Sequence, residues 1–161
     1  MHNTIKINEE EINQLYHNAI FKLKRNSKIV VEEWSDDFSN PNFKASNDAF
    51  KNNNNAFYIR TLRYNRKKRL WLINDQVTSN SDVIFESILH SIEKIEVISA
   101  EPKKSKLKVN NCLVEIKSDR SIKVQILNSN YSQAYGKMKD SFIAQIKGSA
   151  SIDLNYTISP I

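Results

Sequence analysis

Glycine is almost missing from this chain, which has only Gly136 and Gly148 among its 161 residues. Phosphate-binding loops and dinucleotide-binding fingerprints need several glycines, because their backbone must approach the phosphates closely. The sequence therefore excludes the common nucleotide-binding motifs. No cofactor is predicted.

Cysteine is represented by Cys112 alone, and long apolar runs are missing. One cysteine cannot form an internal disulfide, and no N-terminal stretch joins a charged start to an apolar run, so the sequence predicts an intracellular protein of the cytoplasm or nucleus. No apolar run approaches the roughly 20 residues that a membrane-crossing helix requires. We expect no membrane partner, and we expect Cys112 to be a buried small hydrophobic residue on a strand.

Groups of side chains with metal-ligand spacing are also missing. The histidines share no such spacing with one another or with the cysteine. Four acidic residues cluster around Trp34, but calcium loops space their acids at alternate positions and include a glycine. The cluster is better explained as a solvated rim or as a counter-charge for the basic segment described below, and no metal site is predicted. The histidines are His2, His17 and His90, and the acidic residues are Glu32, Glu33, Asp36 and Asp37.

A catalytic motif is not found either. Glu115 and Lys117, followed by Gln125, have the spacing of a metal-dependent nuclease core. That core needs an upstream aspartate, and neither Asp82, on a predicted helix, nor Asp75, at the end of a predicted hairpin, is a natural companion. A solvated strand face produces the same Glu-x-Lys spacing by chance. No catalytic residue is predicted.

What the chain does have is positive charge, with a net charge of +6, an isoelectric point near 9.3, and six cations within the ten residues from Arg60 to Arg69. We call these ten residues the basic segment. Cations neutralise phosphates and aromatic rings stack on unpaired bases, so the segment and its aromatic neighbours predict contact with RNA, DNA or another polyanion. The alternative is a solvated sheet edge that lysine and arginine protect from pairing with other chains. The candidate nucleic-acid-binding residues are Arg60, Arg63, Tyr64, Arg66, Lys67, Lys68, Arg69 and Trp71.

Residues Glu9 to Arg25 have the apolar spacing of an amphipathic helix. Asn8 and Glu11 can form its capping box, and acidic residues precede basic ones, as the helix dipole favours. The sequence therefore predicts a first main helix. Its apolar residues are Ile12, Leu15, Tyr16, Ala19, Ile20 and Leu23.

Ser81 can cap a second main helix that runs to about Glu93. In a helix, Ile84, Ile88 and Ile92 would lie above one another, and Phe85 and Leu89 would widen this buried face. Between the helices, Asp36 to Asn55 lacks periodicity and predicts a long irregular loop with one helical turn around Ala45 to Phe50.

The remaining segments alternate or are rich in β-branched and aromatic residues, which predicts strands. Phe57 to Tyr64 and Arg69 to Gln76 predict a hairpin with its tip at Asn65 to Lys68. The other predicted strands are Ile29 to Trp34, Ile95 to Ser99, Lys106 to Val109, Cys112 to Lys117, Ile122 to Leu127, Ser141 to Lys147 and Ile152 to Ile158. The fold class predicted for residues 1–161 is a single α+β domain, a curved antiparallel sheet packed by two main helices.

This element order resembles the nuclear transport factor 2-like fold. The resemblance depends on Phe57 to Gln76, on the helix Ser81 to Glu93, and on Lys94 to Ala100, which looks like that family's exit from its last helix into a long strand. In size and in its paired terminal strands, the chain is also similar to the small subunits of nuclear messenger RNA export heterodimers. The superfamily has no invariant motif, so the resemblance implies no functional residue.

The sequence thus predicts a small non-catalytic binding subunit of a larger assembly that contacts RNA or DNA through the basic hairpin. One alternative is a purely structural protein–protein interaction module, and another is a small enzyme with a pocket in the curved sheet. A protein partner or a homodimer is expected, because the last two strands carry more apolar side chains than two helices can cover. Leu154 and Tyr156 are the predicted partner-interface residues.

Overall fold

Strands make up almost the whole structure. The computed structural model describes residues 4–13, 15–16, 19–23, 27–134 and 137–161. The strands in chain order are β1 (Ile5–Ile7), β2 (Glu10–Glu11), β3 (Leu15–Tyr16), β4 (Ala19–Leu23), β5 (Ile29–Ser35), β6 (Asn42–Asn47), β7 (Ala56–Asn65), β8 (Leu70–Ser79), β9 (Ile84–Ser91), β10 (Ile95–Glu101), β11 (Lys104–Val109), β12 (Cys112–Ser118), β13 (Ile122–Ala134), β14 (Lys137–Ser149) and β15 (Ile152–Pro160), and the helix is α1 (Lys51–Asn54).

The strands form two main antiparallel sheets. The larger has eight strands in the order β10-β11-β12-β15-β8-β7-β6-β5, and the smaller has five in the order β13-β14-β9-β1-β2. Strands β3 and β4 pair with each other in a separate two-stranded sheet. The two main sheets share one apolar core, to which both contribute, so they form a two-layer β-sandwich.

Period-two alternation positions the core side chains. On β15, Ile152, Leu154 and Tyr156 are 3%, 0% and 1% exposed, whereas Asn155 between the last two is exposed. Successive side chains of a strand point to opposite faces, so β15 and its neighbour β12 each have one face in the core and one in solvent. The edge strand β5, in contrast, is exposed on both faces. Phe85 and Ile146 of the smaller sheet contribute to the same core.

Asparagine takes turn positions that glycine commonly occupies. Asn8, Asn55 and Asn110 have φ angles of 49°, 47° and 52°, in the left-handed region that non-glycine residues rarely adopt. Asparagine tolerates this region better than most side chains. Asn110 lies in the tight β11–β12 turn, so the scarcity of glycine does not prevent sharp turns.

The predicted hairpin and the predicted strands are confirmed, with most strands longer than expected. β7 and β8 pair from Ala56 opposite Ser79 to Asn65 opposite Leu70, and residues 66–69 form the turn. The predicted irregular loop at about 36–55 is wrong, because β6 occupies its centre and pairs with both β5 and β7.

The second predicted helix, Ser81 to Glu93, is wrong, because these residues contain β9. This strand lies between β14 and β1, and its residues 85–88 are all buried. A central strand buried along consecutive positions does not alternate, so its apolar spacing can imitate that of a helix. Ile84 and Ile92, which a helix would bury, are 60% and 61% exposed.

The first predicted helix, Glu9 to Arg25, is wrong in its described part, which contains β2, β3 and β4. The rest of that segment lies outside the described residues. The only helix in the described ranges, α1, has four residues. The α+β class with two main helices is therefore wrong, and the fold is all-β. The described residues contain no helix that is long and apolar enough to cross a membrane.

Candidate functional site

The alternation of β7 divides the basic segment among three places. Arg60 points into the sandwich beside the core, Arg63 points outward, and residues 66–69 form the exposed hairpin tip. The segment is continuous in sequence but is not one surface, because residues an odd number apart on a strand face opposite sides. The eight candidate residues therefore do not act together.

Arg60 forms an ion pair with the fully buried Asp75, and the Arg60 side chain itself is 22% exposed. Its Nε donates to Oδ1 of Asp75 at 2.6 Å and Nη2 donates to Oδ2 at 2.8 Å, while the Tyr58 hydroxyl donates to Oδ1 at 2.8 Å. Burial lowers the pKa of Arg60, but the hydrogen bonds and charge of Asp75 outweigh it and raise the pKa. Burial, reinforced by Asp75, raises the pKa of Tyr58 well above its ordinary value. The guanidinium of Arg60 is therefore bound to Asp75 inside the sandwich and is not positioned to bind a polyanion.

Leu154 and Tyr156 are core residues, which corrects the prediction that they face a partner. They are 0% and 1% exposed, and the Tyr156 hydroxyl donates to Oγ of Ser87 at 2.6 Å, which links the two sheets. Burial raises the pKa of Tyr156 well above its ordinary value. The smaller sheet covers the face that two helices could not have covered.

The hairpin tip contacts the β5–β6 connection. The guanidinium of Arg66 lies 3.6 Å from the centroid of the Phe38 ring, and Nη1 of Arg66 donates to the Phe38 carbonyl at 3.4 Å. Lys67, Lys68 and Arg69 are exposed and have no ion pair within the described chain. The tip is thus a solvated cationic end in which one arginine has a structural contact.

Tyr64 and Trp71 are directly opposed on β7 and β8, with ring centroids 4.8 Å apart. They share the inner side of the sheet with Leu62 and Ile73, and not the outer side with Arg63. The rings therefore pack on each other and stand on the opposite side of the sheet from the outward-facing arginine.

The outer surface of the larger sheet carries rows of polar side chains that cross the strands, and we call it the polar face. One row of directly opposed residues consists of Lys104, Lys117, Asn155, Asn74, Thr61 and Lys44. The next row consists of Lys106, Glu115, Thr157, Leu72, Arg63 and Asn42. Each row joins distant parts of the sequence, from β11 to β6.

A shallow depression of about 270 Å³ lies in the middle of the polar face. We call it the Arg63 depression. Its lining offers a guanidinium, hydroxyls and amides, which can bind the oxygens of a polar ligand. The residues that line it are Thr61, Arg63, Leu72, Ile73, Asn74, Asn155, Tyr156 and Thr157.

Amide hydrogen bonds fix the neighbouring side chains. Nδ2 of Asn74 donates to Asp153 at 2.6 Å and to Asn155 at 2.9 Å, and Nδ2 of Asn155 donates to Asp153 at 2.7 Å. Gln76 donates to the other Asp153 oxygen at 2.9 Å. The amides beside the depression are thus oriented before any ligand arrives.

Cations flank the depression on both sides. On one side Lys106 pairs with Glu115 at 2.9 Å, and the hydrogen bond from Lys106 lowers the pKa of Glu115, with further lowering from the charges of Lys104 and Lys117. Three cations therefore surround one carboxylate. On the other side, Lys44 pairs with Glu32 at 2.9 Å, and this hydrogen bond raises the pKa of Lys44 although the nearby charge of Arg63 opposes the increase.

Glu115→Gln is expected to make the protein less sensitive to acid. Because the folded-state pKa of Glu115 is lowered, the carboxylate stabilises the fold above its ordinary pKa of 4.5, and this contribution is lost as the pH falls through the folded-state value. Thermal midpoints measured from neutral pH to below 4.5 should thus fall less in the variant than in the wild type. Glu93→Gln, at an exposed residue without an ion pair in the described chain, is the control, and equal acid sensitivity of all three proteins would contradict the prediction.

Glu115 and Lys117, whose spacing resembles a nuclease core, do not form a catalytic site with Asp75, and Glu115 instead pairs with Lys106. Glu115 and Lys117 lie on the solvated side of β12, and Asp75 is buried on the other side of the sheet, so these residues form no common site. The acidic residues around Trp34 are not a metal site, since Glu32 and Glu33 lie against Lys44 and Asp37 accepts hydrogen bonds from Ser39. No group of three potential metal ligands occurs in the part of the chain that the structure describes.

Cys112 is exposed, contrary to the prediction that it is buried. It begins β12 opposite Pro160, at the end of the sheet and beyond the packed part of the core. The intracellular location inferred from the single cysteine stays a prediction.

Comparison with known proteins assigns the chain to a family. Residues 1–157 match the model of the heparinase II/III-like, C-terminal family. The chain belongs to this family. None of the curated protein sequences matches it.

Solved structures of lyases share the fold. The heparan sulfate lyase HepC from Pedobacter heparinus is similar with a TM-score of 0.71 and 11% identity, over 99% of this chain and 24% of that protein. A heparinase III is similar with a TM-score of 0.69 and 13% identity, again over 99% of this chain and 24% of the other. The family member described here thus spans about a quarter of the length of these lyases.

The family and the sandwich overturn two predictions. The resemblance to nuclear transport factor 2-like proteins, and to their messenger RNA export subunits, is wrong, because that fold requires the helices that this chain replaces with strands. The function predicted from the basic segment, a nucleic-acid-binding subunit of an assembly, is also wrong, because the chain matches the heparinase II/III-like, C-terminal family and shares its fold with heparan sulfate lyase structures.

Most residues of the polar face were not predicted from the sequence. Lys44, Asn74, Asn155 and Thr157 were not singled out, since they come from four strands that no local pattern joins. Their alternation with buried neighbours was the available signal, because it places them on the solvated side of each strand. This alternation does not show which strands are neighbours in the sheet.

Proposed function

We propose that this chain is the C-terminal sandwich domain of a lyase that degrades an acidic polysaccharide such as heparan sulfate, and that it contributes polysaccharide binding to that enzyme. The observation that carries this proposal is the family match over residues 1–157. The structural neighbours that are called heparan sulfate lyases or heparinases support it through their shared fold.

Charge supports the same proposal. Heparan sulfate carries sulfate and carboxylate groups, and the chain has a net charge of +6. Within the described residues, Lys104 and Lys117 on the polar face and Lys67 and Lys68 at the hairpin tip form no ion pair. A cationic surface attracts a polyanion and releases its counterions, whatever the chemical nature of the polymer. The positive charge from which nucleic-acid binding was predicted is therefore equally suited to binding an acidic polysaccharide.

The test is a binding titration of the 161-residue chain against heparan sulfate, with neutral dextran as the control polymer. We expect heparan sulfate to bind with an affinity that falls steeply as salt is added, and dextran not to bind. Ultraviolet absorbance of unsaturated uronate, the product of a lyase, is followed in the same samples. Absence of heparan sulfate binding would contradict the proposal, whether or not product is formed.

A further inference from the structure

We infer that the polar face is the surface that receives the polysaccharide, as an extended chain lying across the strands, and that the Arg63 depression binds one sulfate or carboxylate group of it. This inference rests on the proposed function and deepens it by locating the binding site. This surface differs from the hairpin tip, and from the basic segment only Thr61 and Arg63 line the depression.

The length of the polar face suits an extended polymer. The row from Lys104 to Lys44 crosses six neighbouring strands, and five spacings of about 4.8 Å give a length of about 24 Å. The middle of this row consists of the uncharged residues Asn155, Asn74 and Thr61. Lys104 and Lys117 lie at one end without an ion pair in the described chain, whereas Lys44 at the other end is paired with Glu32 and Glu33. A polymer with repeated anionic groups can therefore meet positive charge at the Lys104 end of the row and hydrogen-bonding groups along its middle.

Arg63 is the group best placed to bind an anion. Its Nε donates to Oδ1 of Asn42 at 3.1 Å, and no ion pair within the described chain occupies its terminal nitrogens. The planar guanidinium matches sulfate and carboxylate oxygens with two parallel hydrogen bonds. The bond to Asn42 holds the side chain in place, so binding an anion loses less conformational entropy.

The depression lacks an aromatic surface on which a nucleobase could stack. The only aromatic residue in its lining is Tyr156, whose hydroxyl reaches Ser87 in the core. Tyr64 and Trp71 lie on the inner side of the sheet. Single-stranded nucleic acids depend on stacking for much of their binding energy, whereas the hydroxyls of Thr61 and Thr157 and the amide of Asn74 can bond to sugar hydroxyls.

One carboxylate on the polar face is already satisfied. Asp153 accepts hydrogen bonds from Asn74, Asn155 and Gln76, and it lies two residue rows from Arg63, about 14 Å along the strands. Its negative charge therefore does not neutralise Arg63. It serves to orient the amides that line the depression.

The experiment compares two triple variants that each remove three positive charges. One changes the polar face, with Arg63→Ala, Lys104→Ala and Lys117→Ala, and the other changes the hairpin tip, with Lys67→Ala, Lys68→Ala and Arg69→Ala. We expect the polar-face variant to bind heparan sulfate roughly tenfold or more weakly than the wild type, and the tip variant less than about threefold more weakly. Circular dichroism melts establish that both variants are folded.

Two single variants separate the depression from general charge. Arg63→Lys keeps the charge but loses the planar fork, so it should lose most of the preference for heparan sulfate over chemically desulfated heparan sulfate, whereas Lys117→Ala should keep that preference. Equal losses in the two triple variants, unchanged binding in the polar-face variant, or an unchanged preference in Arg63→Lys would each overturn the inference. If the wild type itself does not bind heparan sulfate, the proposed function fails instead.

Discussion

Replacing Asp75 by asparagine is expected to lower the free energy of unfolding by about 3–5 kcal/mol, because it leaves the guanidinium of Arg60 buried without its counter-charge. The stability of a domain of this size is about 5–15 kcal/mol, so the loss is a large part of the total. The hydroxyl of Tyr58 also loses a charged acceptor. Urea denaturation followed by tryptophan fluorescence measures the change.

A double variant shows whether the charge or the shape of this site matters. Arg60→Met combined with Asp75→Leu removes both charges and keeps apolar volume, so its stability should lie close to that of the wild type. Recovery in the double variant, after loss in Asp75→Asn, identifies an uncompensated charge as the cause. An Asp75→Asn protein with the wild-type midpoint would show that Arg60 does not depend on its partner.

Phe85→Asp should prevent folding, whereas Ile84→Asp at the adjacent position should be tolerated. Phe85 is 0% exposed in the core, and Ile84 is 60% exposed on the other side of β9. Burying a polar group without a hydrogen bond costs roughly 2–7 kcal/mol, and burying an unpaired carboxylate costs more, whereas an exposed carboxylate does not have this cost. Circular dichroism and thermal melting of the two variants distinguish them.

The same pair of variants decides between strand and helix at this segment. In a helix, Ile84 would lie on the buried face with Ile88, and its replacement by aspartate would be as damaging as that of Phe85. In the strand, Ile84 and Phe85 point to opposite faces of the sheet, and only the side chain of Phe85 enters the core. Loss of folding in both variants would contradict the position of β9 that the structure gives.

The strands that the sequence predicted correctly are those with clear alternation. Val114 and Ile116 are buried and Lys117 is exposed, as their period of two requires, and the β7–β8 hairpin was predicted with its tip one residue too early, at Asn65 to Lys68 instead of residues 66–69. These features depend on residues within a few positions of one another. The geometry of a single strand or a tight turn is local, so a local pattern determines it.

The segment around β9 was mispredicted because its environment is not local. Central strands are buried at consecutive positions, and Phe85, Ile88 and Leu89 then have spacings that a helix also uses. Only the neighbours β14 and β1 decide that the segment is extended, and both are distant in sequence. The smaller sheet was not predicted for the same reason, since its strands are neighbours that are distant in sequence. Without this second layer, Leu154 and Tyr156 were incorrectly predicted to face a partner.

The sequence by itself determined that the chain is basic, that it lacks the glycines of nucleotide-binding loops, and that hairpins and alternating strands dominate its second half. Composition and period-two alternation are sufficient for these conclusions. Only the tertiary structure decided that Arg60 is neutralised inside the sandwich while Arg63 faces solvent, because the direction of each side chain depends on strand register. It also decided that Lys104, Asn74 and Lys44 share one surface, because strand order joins residues that the sequence separates.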